Sequence, residues 1–170
     1  LYQKSKVEHG STYHINTYYR FLKDQHNRWE DLLQQVAIKA ISFFSPLTAQ
    51  NRQVLVIDDT LFSRPKGKKV ENNSLVYDHN EGTFKKGYRL LTLAWTDGFS
   101  VVPTLFRMMS SARTAYKSEK KYDGRGICSK RRADSFKTMT DSAIELLEKA
   151  SCLGTRYVAY DSWFGTPKTI

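Results

Sequence analysis

The feature that most constrains this chain is a short apolar run with charges at its end. Val54-Leu55-Val56-Ile57 is continuous and mostly β-branched. Such a run suits a strand buried on both faces rather than the alternating strand of a half-solvated sheet. It leads directly into Asp58-Asp59-Thr60. A second short strand, Tyr157-Val158-Ala159-Tyr160, leads in the same way into Asp161 and then Ser162-Trp163-Phe164-Gly165. A carboxylate just past a buried strand costs desolvation unless it is paired or binds a cation.

The elements between and before these strands follow from local pattern. Residues 12–24 and 27–45 predict two helices. In the second, Trp29, Leu32, Leu33, Val36, Ala40 and Phe43 recur at three- and four-residue steps and predict one apolar stripe. Ser45-Pro46 ends it, because Pro disfavours a helical residue before it. The first segment carries Tyr18, Tyr19, Arg20, Phe21 and Lys23, a mixture that could grip a DNA backbone or simply form a helical hairpin. Residues 61–86 predict a long polar loop. Tyr88–Trp95 and Phe99–Phe106 flank Asp97-Gly98 and predict a hairpin with a tight type I′ turn. Pro103 places its second strand at a sheet edge. A helix is predicted at about 132–152, with Phe136, Met139, Ala143, Leu146, Leu147 and Ala150 on one face and Gly154 as its C-cap glycine. With 170 residues the chain is long enough for one domain with a real core and a helical extension.

Charge narrows the partners. The formal net charge is +10, which points to a polyanion and first to nucleic acid. Residues 107–137 hold ten lysines and arginines against three acids, a local net of +7. Cys128 and Cys152 form no CxxC pair, so neither a disulfide framework nor a zinc site is expected. His9, His14, His26 and His79 have no metal-ligand spacing. No apolar run approaches the roughly 18 residues of a membrane helix, and residues 1–6 have no signal-peptide core. A cytoplasmic protein without membrane contact is expected. The absent starting Met, and an end soon after a strand, lead to the expectation that both ends are truncations.

A helix crossover connects the hairpin edge back to the sheet, so the strands ending at Ile57 and Tyr160 are expected to be parallel neighbours, with Asp59 and Asp161 facing one cleft. Two carboxylates in close range raise one pKa or recruit a divalent cation. Two Mg2+ ions roughly 3.5–4 Å apart are a standard device for in-line phosphodiester displacement. For either Asp alone, capping a turn is the ordinary role.

Ile57-Asp58-Asp59-Thr60, the Tyr88–Phe106 hairpin and Tyr160-Asp161-Ser162-Trp163-Phe164-Gly165 together resemble DDE insertion-sequence transposases of the branch named after insertion sequence four. Tyr18–Leu22 followed by Trp29–Leu33 resembles the N-terminal helical region of that branch, so the resemblance spans nearly the whole chain. It implies an α/β fold: a partial ribonuclease H-like core at 51–170, preceded by a helical DNA-contacting region at 1–50. It implies Asp59 and Asp161 as catalytic, metal-binding carboxylates, with Asp58 as the neighbour that could replace Asp59. It also implies two Mg2+ ions, for which Mn2+ can substitute. The partner it implies is DNA, at transposon ends and target, in a bacterial cytoplasm, with a homodimer expected in the full-length synaptic complex. Lys85, Lys86, Arg125, Lys130, Arg131 and Arg132 are the candidate phosphate contacts, which position DNA without reading its sequence. The third carboxylate of the family is a glutamate in a Y-R-E-K-like motif well downstream of the second aspartate. The chain ends nine residues after Asp161, so that glutamate is expected to be missing and the 170 residues alone to be inactive. Two alternatives stay open: a nuclease of the same fold without strand transfer, and a non-catalytic DNA-binding remnant of a decayed transposase.

Overall fold

The computed structural model describes residues 13–48, 52–117 and 124–167; His9, Lys120 and Lys121 lie outside the described residues. Two helices come first, α1 (Ile15–Lys23) and α2 (Trp29–Phe44). α1 buries no residue, and its Phe21 meets Trp29 edge-on at 5.4 Å between ring centroids. α2 ends one residue before Ser45-Pro46 and passes into a 3-10 turn, Ser45–Thr48. The buried face of α2 is not the expected one. Ala37 and Ile41 are buried, with Leu33 and Phe44 half-buried in line, whereas Leu32, Val36 and Phe43 are exposed. Both stripes have helical spacing, and the covered one is that which meets the sheet.

Among the described residues five strands form one mixed sheet: β1 (Val54–Ser63), β2 (Ser74–Asp78), β3 (Thr83–Thr96), β4 (Val101–Met109) and β5 (Tyr157–Tyr160). β3 pairs antiparallel with β1 along one edge and with β2 and then β4 along the other. β1 pairs parallel with β5, Ile57 opposite Tyr160. This is a mixed α/β arrangement, a partial ribonuclease H-like core preceded by helices. Leu91, Leu93 and Trp95 alternate along β3 with no exposed surface. They meet Leu55 and Ile57 of β1, Leu105 of β4, and Ile41 from α2 in one core. The opposite face is half-open, so Val54 and Val56 are only partly buried, against the expectation of a strand covered on both sides.

Three expectations need correction. The polar stretch 61–86 is not one loop: β1 continues through Leu61-Phe62-Ser63, β2 lies within it, and β3 begins at Thr83. Ladder pairing with β3 fixes these segments despite their polar surroundings. The connection between β3 and β4 is a four-residue loop, Asp97–Ser100, in which Gly98 has positive φ and Asp97 does not, so it is no type I′ turn. Buried Asp97 organises it by accepting the amides of Phe99 (2.9 Å) and Ser100 (2.6 Å) and the Thr48 hydroxyl (2.7 Å). The helix expected at 132–152 is two helices, α3 (Ile127–Asp134) and α4 (Met139–Ala150), because Thr138 starts a new one by accepting the Asp141 amide at 3.1 Å. Ala143, Leu146 and Ala150 of α4 enter the core as expected. Gly154 does sit in the left-handed region, φ 65°, closing the 3-10 turn after α4.

β4 lies at a sheet edge, as Pro103 requires, and carries a bulge. Leu93 pairs with Leu105 and Ala94 with Pro103, leaving Thr104 extra, its hydroxyl donating to the Leu93 carbonyl at 2.8 Å. Among the described residues no helix is long and apolar enough to cross a membrane.

Two tests follow. A Cβ on Gly87 would lie 2.3 Å from the Phe62 carbonyl oxygen, so β1 and β3 would have to part. Gly87→Ala is expected to lower unfolding stability by about 1–3 kcal/mol, the range of overpacked sites; an unchanged urea midpoint would contradict the close approach. The Asp97 carboxyl is held below its ordinary value by the Ser100 amide first and the Thr48 hydroxyl next. A depressed folded-state pKa adds stability that is present above about pH 4 and is lost as pH falls through the folded value. Asp97→Asn is therefore expected to flatten the acid limb of stability against pH, and an unaltered limb would deny Asp97 this role.

Candidate active site

β5 stops at Tyr160 while β1 runs on to Ser63, so one edge of β1 is left open beyond Ile57. Alternation places Asp59 on the side of Leu55 and Ile57, and Asp58 on the side of Val54 and Val56. One step beyond the last pair, the parallel register sets Asp58 level with Asp161. Asp161 leads into a 3-10 turn, Ser162–Phe164. Phe164 anchors that turn, being 2% exposed in the core, and its amide donates to the Asp161 carbonyl at 2.9 Å.

Asp58, Asp59 and Asp161 line one cleft of about 460 Å³, together with Tyr77, Asp78, His79, Arg89 and Trp163. Asp59 and Asp161, expected to face one cleft, both line this one. The three carboxylates differ in their partners. Asp59 is largely buried and forms an ion pair with Arg89, whose other terminal nitrogen donates to the Tyr77 carbonyl at 2.7 Å. Asp58 is exposed, and one of its oxygens accepts the Asp59 amide at 2.8 Å. Asp161 is exposed and accepts from the Ser162 hydroxyl at 3.1 Å. Asp78 pairs with Lys85 at 2.8 Å, which holds the Asp78 carboxyl below its ordinary value and raises the Lys85 ammonium.

Arg89 and Tyr77 were not legible as site residues in the sequence. A signal for Arg89 exists: it occupies the inward-facing set Arg89, Leu91, Leu93, Trp95, where an unpaired charge would be costly. Glu145 on α4 lies elsewhere. It binds Arg107 at 2.8 Å and Lys137 at 2.6 Å, and Lys137 first, then Arg107, hold its carboxyl below the ordinary value.

The six candidate phosphate contacts divide. Lys85 is engaged by Asp78 and Glu81. Arg131 donates to the Asn27 carbonyl at 3.1 Å, and Arg132 forms an ion pair with Glu71, so both hold α3 to the rest of the fold. Lys86, Arg125 and Lys130 are exposed.

The family model described as DDE superfamily endonuclease matches residues 4–170. The chain belongs to that family. Neither a curated protein nor a solved structure matches it. Membership in the DDE superfamily endonucleases makes DNA the substrate and a divalent metal the expected cofactor. The cleft fits a hard cation in donor chemistry, offering carboxylate oxygens from β1 and from the turn that follows β5. Among the described residues no three Asp, Glu, His or Cys side chains form a ready-made cage.

Neutralising exposed Lys86 and Lys130 together is expected to lower the log–log salt slope of DNA binding by about 2, because each lysine that neutralises a phosphate releases about one counterion. An unchanged slope would make both lysines part of a solvated face.

Proposed function

We propose that this chain carries the catalytic front of a transposase of the branch named after insertion sequence four, cutting DNA at insertion-sequence ends and joining the free 3′-hydroxyl to target DNA. The observation that supports it most is the pairing of β1 with β5, which brings Asp161 to a cleft shared with Asp58 and Asp59. A phosphodiester entering that cleft meets several carboxylates, and the Arg89 guanidinium is already engaged by Asp59. Asp58, Asp59 and Asp161 therefore leave room for the positive charge that a divalent cation would supply.

Asp161 and Asp58 would hold the metal on this reading, since the register sets them level and both are exposed. Asp59 is the second choice: it lines the same cleft, but its charge is met by Arg89. Bound there, Mg2+, as two ions or replaced by Mn2+, would activate the attacking oxygen and stabilise the leaving one. The chain's own residues do the rest. The Asp59–Arg89 pair fixes the end of β1 against the Tyr77 carbonyl, and the buried Phe164 holds the turn that presents Asp161. Exposed lysines such as Lys86 and Lys130 position the DNA backbone, and the helical region at 1–50 adds contacts. The protein would act in a bacterial cytoplasm on the nucleoid, as a homodimer around paired ends. A nuclease without strand transfer would use the same cleft, and only a strand-transfer assay separates the two.

No glutamate lines the cleft among the described residues. In the protein expressed from its complete gene, Asp161→Asn and Asp58→Asn are each expected to abolish Mg2+- or Mn2+-dependent nicking of a transposon-end duplex. DNA binding should be retained or tightened, because negative charge near the phosphate is removed. Nicking at the unmodified rate by Asp161→Asn would remove the cleft from the mechanism, while loss only in Asp59→Asn and Asp161→Asn would move the metal pair to Asp59.

A further inference from the structure

The end of the sheet beyond β5 carries an exposed aromatic face. Across β2 and β3, Tyr77 pairs with Phe84 and Leu75 with Lys86; across β1 and β3, Phe62 pairs with Tyr88. Alternate residues of a strand share a side, so Phe62, Leu75, Tyr77, Phe84 and Lys86 lie on one face, opposite to Arg89. Phe84 is 68% exposed, Phe62 46% and Tyr77 39%. Tyr77 and Phe84 meet edge to face at 5.2 Å, which leaves ring surface turned outward. Clustered apolar rings in water mark an interaction surface.

Charge identifies the partner. The loop leaving β1 carries exposed Arg64, Lys66, Lys68 and Lys69, with no acid from Thr60 to Val70. That loop is tied to the aromatic face: the Arg64 amide donates to the Lys86 carbonyl at 2.7 Å, and the Asn73 side chain donates to the Arg64 and Gly67 carbonyls at 3.2 and 2.8 Å. The Arg64 guanidinium lies 5.9 Å from the Phe62 ring centroid. Flat apolar rings beside a row of cations fit a polyanion that also offers flat apolar groups, which is an unpaired nucleic-acid strand. A duplex stacks the faces of its bases inside and presents only their edges and the phosphates. The face also leads into the cleft: Tyr77 lines it, and Asp58 lies on the same side of β1 as Phe62.

We propose that this face is a stacking platform for an unpaired DNA strand, with bases on Tyr77 and Phe84 and phosphates on Lys86 and the 64–69 loop, and that it feeds that strand toward the cleft. The proposal rests on the DNA-cutting reading for what the cleft does, and its test is a binding measurement that needs no cleavage.

The test is fluorescence anisotropy of the 170-residue chain with a labelled oligothymidine and with a blunt duplex of equal length. Stacking on an aromatic ring is worth roughly 5- to 150-fold in affinity per base. Tyr77→Ala and Phe84→Ala are each expected to weaken single-strand binding by a factor in that range and duplex binding by less than about twofold. Phe84→Trp should retain single-strand binding and show indole quenching on adding oligothymidine. Phe84 is mostly solvent-exposed, so its replacement leaves the core intact, and circular dichroism verifies the fold. Unchanged single-strand affinity in both alanine variants overturns the proposal. So does an equal loss on duplex and single strand, or a concentration-dependent dimer that Phe84→Ala dissolves without affecting DNA binding. Absence of nicking by the protein from the complete gene counts against the cutting reading and leaves the platform standing.

Discussion

Strand β3 pairs with β1 along one edge, and with β2 and then β4 along the other, so its register fixes that of three other strands. Burial of Leu91, Leu93 and Trp95 determines that register, because a one-residue slip would turn all three to the other side. α2 and α4 meet the same side through Ile41, Ala143, Leu146 and Ala150. β1 is held in turn, and β5 pairs with it in parallel as far as Tyr160. The position of Asp161 beside the aspartates of β1 is therefore a consequence of packing elsewhere in the sheet.

Electrostatics then separates two adjacent residues of the same type. Asp59 continues the core side of β1 and meets Arg89, which continues the core side of β3. A carboxylate there without a partner would carry the full cost of desolvation. Asp58 turns the other way into solvent and keeps its charge available. Strand alternation alone thus gives the two aspartates different surroundings, one paired with Arg89 and one exposed.

Much of this was legible in the residues. The hairpin announced itself because Asp97-Gly98 is flanked by apolar runs, and the parallel pairing of β1 and β5 followed from the helix between them. The turn type did not, because Asp97 is satisfied partly by Thr48, far away in sequence. The buried side of α2 was ambiguous, since Leu33–Ala37–Ile41 and Leu32–Val36–Phe43 both repeat at helical spacing, and only the sheet decides which is covered. β2 was hidden by its setting: Ser74–Asp78 is short, sits among lysines and asparagines, and is a strand because β3 is there to pair with it. Whether Asp58 or Asp59 stands level with Asp161 is likewise a matter of register, which composition does not encode.

The bulge at Thr104 reverses the sidedness of β4. Before it, Val102 shares the side of Trp95; after it, Leu105, Arg107 and Met109 share the side of Leu93, Leu91 and Arg89. The extra residue is thus a phase shift in the chain. Losing Pro103 or Thr104 would leave a regular ladder with Val102 and Leu105 still on the core side, whereas losing Phe106 would turn the Arg107 guanidinium away from Glu145.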